Sequence, residues 1–317
     1  MTLRQVFQGT EGLRAGWRLL IFLIMYEALQ LAVAGVVMPA VEHWKIDVPQ
    51  GLDARAITGG YAITLISVLI STAIMARFER RRLRDYGLPG WNLLGRRFWE
   101  GVAFGFTGTT LLMLVICLAG GYSFGTLALR DGALVKASAL WMLASLMIGL
   151  QEELLFRGYC QFTLAKGVGF WPAAFLISSC FGAAHFFLRP YERWTDWAYT
   201  GFGGLLFCLT LRRTGDLRFA IGSHAASDFA GLFVYSCPIG GQFARDRLLT
   251  ASFHGPDWMT GGPTGPGASV FVFPWIALMF FAFDRLYRSP GAAFPSGRNL
   301  SSKKESAAWL TSWPWKT

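Results

Sequence analysis

Charge is scarce in this sequence. Asp, Glu, Lys and Arg together make up 15% of the chain, against about 25% in ordinary soluble domains. Hydrophobic residues make up 53%, and the mean hydropathy is +0.40. A length of 317 residues would allow two soluble domains, but this composition argues against them. The five cysteines (Cys117, Cys160, Cys180, Cys208 and Cys237) contain no CxxC pair and are odd in number. That pattern is not a disulfide framework or a zinc ribbon. Each lies in an apolar run or at the end of one and reads as a small buried apolar residue. There is no HExxH, the helical pair of many zinc proteases. No internal repeat is visible. The N-terminus lacks the short apolar core and small-residue cleavage site of a secretory signal, so the first apolar run is expected to stay as an anchor. A net charge of +10 does not point to nucleic acid, because the basic residues gather between apolar runs.

Those runs are what the chain is made of. Hydropathy marks eight, at about 17–40, 57–76, 98–120, 139–159, 168–188, 197–211, 219–237 and 269–283. Most reach the 17–25 residues that a spanning helix needs; the sixth and eighth are short. The expected fold is an all-α polytopic membrane protein with about eight transmembrane helices. With the N-terminus inside, 21 of the 29 Lys and Arg fall on inner segments and 8 on outer ones, which favours both termini in the cytoplasm. Trp309, Trp313 and Trp315 in the basic tail suit a membrane interface. Gly101, Gly105 and Gly108 read as loosening the third run. Three regions are expected: 1–138 with three spans, a core at 139–237, and an outer loop, last span and tail at 238–317.

The fourth run ends in Glu152-Glu153-Leu154-Leu155-Phe156-Arg157. A charge inside a membrane helix costs about 2.5–3.5 kcal/mol on insertion scales, so three charges in six residues need partners or a purpose. Glu153 and Arg157 are four apart and can pair on one helix face. Glu152 is turned about 100° from Glu153 and is free to aim into a cavity. Of four histidines, His43 and His254 fall in polar loops, whereas His185 and His224 fall inside runs five and seven. Phe181 shares a face with His185, and Gly182, Ala183 and Ala184 permit close helix approach. His224 and Asp228 are also four apart.

Two histidines and several carboxylates on three helices admit two chemistries. One is a metal site built from His185, His224 and Glu152, for which zinc is the metal left open. The other needs no metal: Glu152 with His185 activates a water, and His224 with Asp228 stabilises an oxyanion. Asp228 donates only if protonated; otherwise it orients His224. Ser223 adjoins His224 but faces elsewhere on a helix.

The set Glu152-Glu153-x-x-x-Arg157, Phe181-x-x-x-His185 and His224-x-x-x-Asp228 resembles the three motifs of the CPBP family. That family comprises CAAX prenyl endopeptidases and bacteriocin-processing or immunity (Abi) proteins. The resemblance covers about 139–232. Arg81-Arg82-x-x-Asp85-Tyr86-Gly87-Leu88 looks like a segment common before such a core. The resemblance implies an intramembrane protease in which Glu152 and His185 activate water and His224 with the Asp228 position binds the oxyanion. Asp228 departs from the Asn frequent in eukaryotic prenyl proteases.

The expected function is therefore an intramembrane endopeptidase, with Glu152, Glu153, His185, His224 and Asp228 catalytic and Arg157 and Phe181 in support. Its cavity would lie among spans four, five and seven. The alternatives are a non-catalytic immunity or peptide-binding membrane protein using the same cavity, and an ion- or proton-coupled transporter. Expected partners are membrane lipid and a peptide or protein substrate, with or without a lipid. The expected place is a bacterial inner (plasma) membrane. One condition follows from the span centres: His185 lies toward the outer side and Glu152 toward the inner. A shared site needs span five shifted or tilted so that the two approach within about 12 Å.

Overall fold

The computed structural model of the chain describes residues 7–9, 12–46, 48–88, 90 and 92–288. The tail tryptophans Trp309, Trp313 and Trp315 lie outside the described residues. The architecture is helical: α1 (Ala15–His43), α2 (Ala54–Phe78), α3 (Arg96–Leu118), α4 (Asp131–Glu152), α5 (Gln161–Val168), α6 (Phe170–Leu188), α7 (Trp194–Thr214), α8 (Arg218–Asp228), the single turn α9 (Asp257–Thr260) and α10 (Val272–Leu286). Among the described residues, strand is confined to two small ladders. β1 (Gln8–Gly9) pairs with β2 (Gly12–Leu13), and β3 (Tyr122–Ser123) ties to β4 (Ser252–Phe253).

Among the described residues, five helical segments are long and apolar enough to cross a membrane: Ala15–His43, Ala54–Phe78, Arg96–Leu118, Asp131–Val168 and Phe170–Leu188. The chain is thus a multi-pass membrane protein. The runs expected as spans six, seven and eight are helical but fall short of that length or hydropathy. α8 explains its own case: it carries Ser223, His224, Ser227 and Asp228 and is walled in by other helices, so it need not be apolar all round. The fourth run is longer than expected. Asp131 starts it, α4 passes into a π-helical stretch at Glu153–Cys160 that kinks at Gly158, where the backbone leaves helical geometry (φ −80°, ψ −114°), and α5 continues to Val168. Residues 131–138, expected as loop, are its first turns. Gly169, at φ +90°, ends it and allows the turn into α6.

Small residues set the closest crossings. A Cβ on Gly101 or Gly105 of α3 would overlap the Phe219 and Ser223 carbonyls of α8, and one on Gly222 would overlap the Phe98 carbonyl. These α3 glycines therefore bring two backbones together rather than loosen a helix, the small-residue packing that membranes favour. Gly149 brings α4 close as well, though less tightly: its Cβ would lie 3.1 Å from the Ala225 nitrogen. Gly182 packs on Trp197 and Gly201 of α7 in the same way.

The basic connection after α2 docks on the long rod. Tyr86 is fully buried and stacks near Tyr159, with ring centroids 5.1 Å apart. Glu79 gathers Arg18 at 3.0 Å and the Tyr159 hydroxyl at 2.5 Å. Cys160, Cys208 and Cys237 are buried and Cys117 half-buried, but Cys180 is exposed, because its position on α6 faces outward.

Gly105→Ala is expected to cost about 1–3 kcal/mol by overpacking. Gly35→Ala, whose Cβ meets nothing within 4 Å, should be neutral or slightly stabilising. Thermal denaturation of the two purified variants compares them.

Candidate functional site

Glu153 and Arg157 meet as their spacing requires. Arg157 Nη1 donates to Glu153 Oε1 at 3.2 Å, and both side chains are 0% exposed. The guanidinium carbon lies 4.2 Å from the centre of the Phe181 ring, a cation–π contact strengthened by desolvation. Arg157 reaches this place because residue 204 is glycine: a Cβ there would strike its Nη2. Arg157 Nε and Nη2 have no partner among the described residues.

The same Glu153 oxygen also accepts from His224 Nδ1 at 2.9 Å. That contact turns the other imidazole nitrogen, Nε2, toward Asp228 Oδ2 at 3.7 Å and Glu152 Oε2 at 3.6 Å. Phe207 stacks on the His224 ring, with centroids 5.4 Å apart and planes 21° apart.

Glu152 points the other way from Glu153, as its rotation about the helix requires. Its Oε1 accepts from the Tyr61 hydroxyl at 2.9 Å. Its Oε2 is buried and has no hydrogen-bond partner among the described residues. His185 Nε2 faces that oxygen at 3.9 Å, so the two histidines and Glu152 share one site. The axial offset set as a condition is present: His185 lies one turn before the end of α6, yet it reaches a glutamate near the middle of the 131–168 rod. His185 Nδ1 lies 2.9 Å from the Phe181 carbonyl. A carbonyl only accepts, so the proton sits on Nδ1 and the neutral ring offers Nε2 as a lone pair.

These groups line a cavity of about 220 Å³ with Tyr61, Phe181, Arg189, Asp196 and Asp228 among its walls. Its lining draws on α2, α3, α7 and α10 as well as α4, α6 and α8. Sequence reasoning did not single out Tyr61, Phe207, Arg189, Asp196 or Gly204; nothing in the local spacing of Tyr61, Phe207, Asp196 or Gly204 marks them. Arg189 alone had a signal, standing four residues after His185. His43, in the last turn of α1, and His254, beside Ser252 Oγ at 3.0 Å, are exposed and apart from the site.

The suggested metal set was tested on its donors. Among the described residues no group of three or more His, Cys, Asp or Glu side chains is arranged to hold a metal ion.

In the loop between α6 and α7, Glu192 has both carboxylate oxygens buried without a partner. Burial, then the Asp196 carboxyl beside it, pushes Glu192 from its ordinary 4.5 up to about 9.

Comparison with known families adds one finding. Residues 134–230 match the family model described as type II CAAX prenyl endopeptidase Rce1-like. The segment is similar to the CAAX proteases, in agreement with the family that the three motifs resemble, and the match supports protease activity at family level. No curated protein and no solved structure matches the chain.

Two outcomes are expected. Arg157→Met takes the guanidinium from buried Glu153 and leaves it only His224 Nδ1 as a partner; it should cost about 3–5 kcal/mol, and adding Glu153→Gln should recover part of it. Thermal denaturation reads both. Glu192 gives a pH signature. Its folded pKa lies above its unfolded one, so the folded state keeps a proton that the unfolded state releases, and stability falls as pH rises from about 5 to about 9. Melting temperature across that window should fall less steeply in Glu192→Gln than in wild type.

Proposed function

We propose, from this family-level likeness to a CAAX-type protease, that the chain is an intramembrane endopeptidase hydrolysing a peptide bond of a membrane-associated peptide or protein. Its working core is residues 139–237, and both termini lie in the cytoplasm. The observation that carries the reading is the unpartnered Oε2 of Glu152, buried in a cavity and facing the lone pair of His185 Nε2 across 3.9 Å. Two acceptors at that separation cannot bond each other, and a polar gap longer than 3.5 Å suits a bridging water. A water there donates one proton to each acceptor and turns its own lone pair toward a substrate carbonyl.

Hydrolysis then runs on this chain's own groups. Glu152 takes a proton from the attacking water as general base, helped by His185. Such proton transfer contributes about 10²–10⁴-fold. The carbonyl oxygen gains charge in the tetrahedral intermediate. His224, with Glu153 on its Nδ1, presents Nε2–H to that oxygen as an imidazolium, and Asp228 beside Nε2 either donates when protonated or holds the ring. One such donor is worth about 10²–10³-fold. Glu152 returns the proton to the leaving amine. Arg157 holds Glu153 and, through it, His224, and Phe181, on the cavity wall, braces the Arg157 guanidinium and the His185 ring. Membrane lipid surrounds the enzyme, and the substrate carries a lipid or none.

Peptides of one sequence, with and without a prenyl group, test the reading in proteoliposomes. Glu152→Gln, His185→Ala and His224→Ala should each lose at least about 10²-fold in kcat while remaining folded. Cleavage that survives in Glu152→Gln sinks the proposal. Metal analysis of the same preparations is its second arm. Stoichiometric metal that disappears in both histidine variants would replace the glutamate-based route with metal-activated water. An immunity or binding protein would bind the peptide and cleave it in no form.

A further inference from the structure

Tyr61 lies on α2, far in sequence from the three motifs and outside the matched residues 134–230. Two observations meet on it. The first is its hydrogen bond to Glu152 Oε1 at 2.9 Å, which leaves Oε2 as the oxygen without a partner. The terminal torsion of a glutamate is broad and roughly two-fold, so an unheld carboxylate exchanges its oxygens and tilts freely. The hydroxyl fixes both choices. A phenol donor also favours the charged, proton-accepting form of the group it holds.

The second observation is a second hollow of about 430 Å³, between α1, α2 and α4. It is lined by Tyr26, Ala56, Ile57, Gly60, Thr64, Gln151 and again Tyr61. Tyr61 also lines the cavity that holds Glu152. Tyr61 is therefore a wall residue common to two spaces. On the far side Gln151, next to Glu152 in sequence, donates to the Tyr26 hydroxyl at 3.1 Å and closes that flank.

We propose that Tyr61 is a positioning residue of the hydrolytic site: its hydroxyl aims Glu152 Oε2 into the cavity, and its ring is the partition that separates the cavity from the hollow between α1, α2 and α4. This rests on the hydrolytic reading above for its first half. The second half stands on the geometry alone.

Two variants of the full chain in lipid nanodiscs separate the roles. Tyr61→Phe keeps the ring and deletes the donor. A hydrogen bond to a charged group is worth enough that kcat should fall about tenfold to hundredfold, with KM and melting temperature unchanged. A merely structural tyrosine would instead lower the melting temperature and spare kcat of the folded fraction, and that result overturns the positioning role. Tyr61→Ala deletes both donor and ring. Comparing it with Tyr61→Phe isolates the ring, because neither has the hydroxyl. The readout is modification of Glu152 by a membrane-partitioning carbodiimide, located by mass spectrometry, which needs no cleavage. Faster modification in Tyr61→Ala than in Tyr61→Phe is expected, and equal rates overturn the partition. The outcomes also tell the two readings apart. If Glu152→Gln is inactive while Tyr61→Phe works as wild type does, this inference alone fails. If Glu152→Gln cleaves normally, the hydrolytic reading fails, and the labelling comparison still decides the partition.

Discussion

A fully buried arginine is the constraint around which the site is arranged. Arg157 is 0% exposed on a rod that also has to be apolar enough to cross a membrane. Removing a guanidinium from water costs several kcal/mol even after relaxation, and Glu153, four residues earlier, repays only part because it is buried as well. The remainder is spread over neighbours chosen for it: the Phe181 ring beneath the cation, Phe207 nearby at 5.6 Å, and the missing Cβ of Gly204. Such a pair is weak as a stabiliser. Its effect is geometric. The Glu153 oxygen that receives Arg157 also receives His224 Nδ1, so the ion pair fixes which way the imidazole faces.

Two adjacent acids thereby acquire opposite environments. On a helix they are about 100° apart, and that angle is enough to put Glu153 against a cation and a histidine and Glu152 against a tyrosine and an open cavity. Each carboxylate is held through Oε1, Glu153 by Arg157 and His224 and Glu152 by Tyr61, and each leaves Oε2 without a hydrogen-bond partner among the described residues; of the two, Glu152 is the one that lines the cavity. A buried acceptor left without a donor is expensive, and it persists here because it faces a space in which a small polar molecule fits.

The parts legible in the sequence are those decided within one helix turn. Glu153–Arg157, Phe181–His185 and His224–Asp228 all follow from four-residue spacing, and each pair shares a face in the structure. The five longest apolar segments follow from hydropathy. What hydropathy missed was set by tertiary packing. The first turns of α4 carry Asp131 and Lys136 and look like loop, yet they continue the rod. Tyr61 is one of many apolar-run tyrosines until α2 is laid against α4. Phe207 and Gly204 belong to α7, the run least convincing as a span, and matter only because α7 packs over Arg157 and His224. The glycines of α3 looked like flexibility, since a sequence does not say whose carbonyl lies opposite.

Those glycines bear on the chemistry. α8 carries His224 and Asp228, and it is gripped backbone to backbone on two sides: by Gly101 and Gly105 of α3, and by Gly149 of α4, three residues before Glu152. Close-packed interiors deform little, so the distance from Glu152 Oε2 to His224 Nε2 is set by helix contacts less than one side chain thick. α6 is fixed differently. Gly182 seats it on α7, and His185 sits on its last full turn, with Nδ1 tied to its own helix at the Phe181 carbonyl. A cluster of ionisable groups inside an apolar fold has few polar anchors to spend on orientation. Here the orientation comes mostly from glycine-mediated helix contacts, and the polar atoms that remain are left facing the cavity.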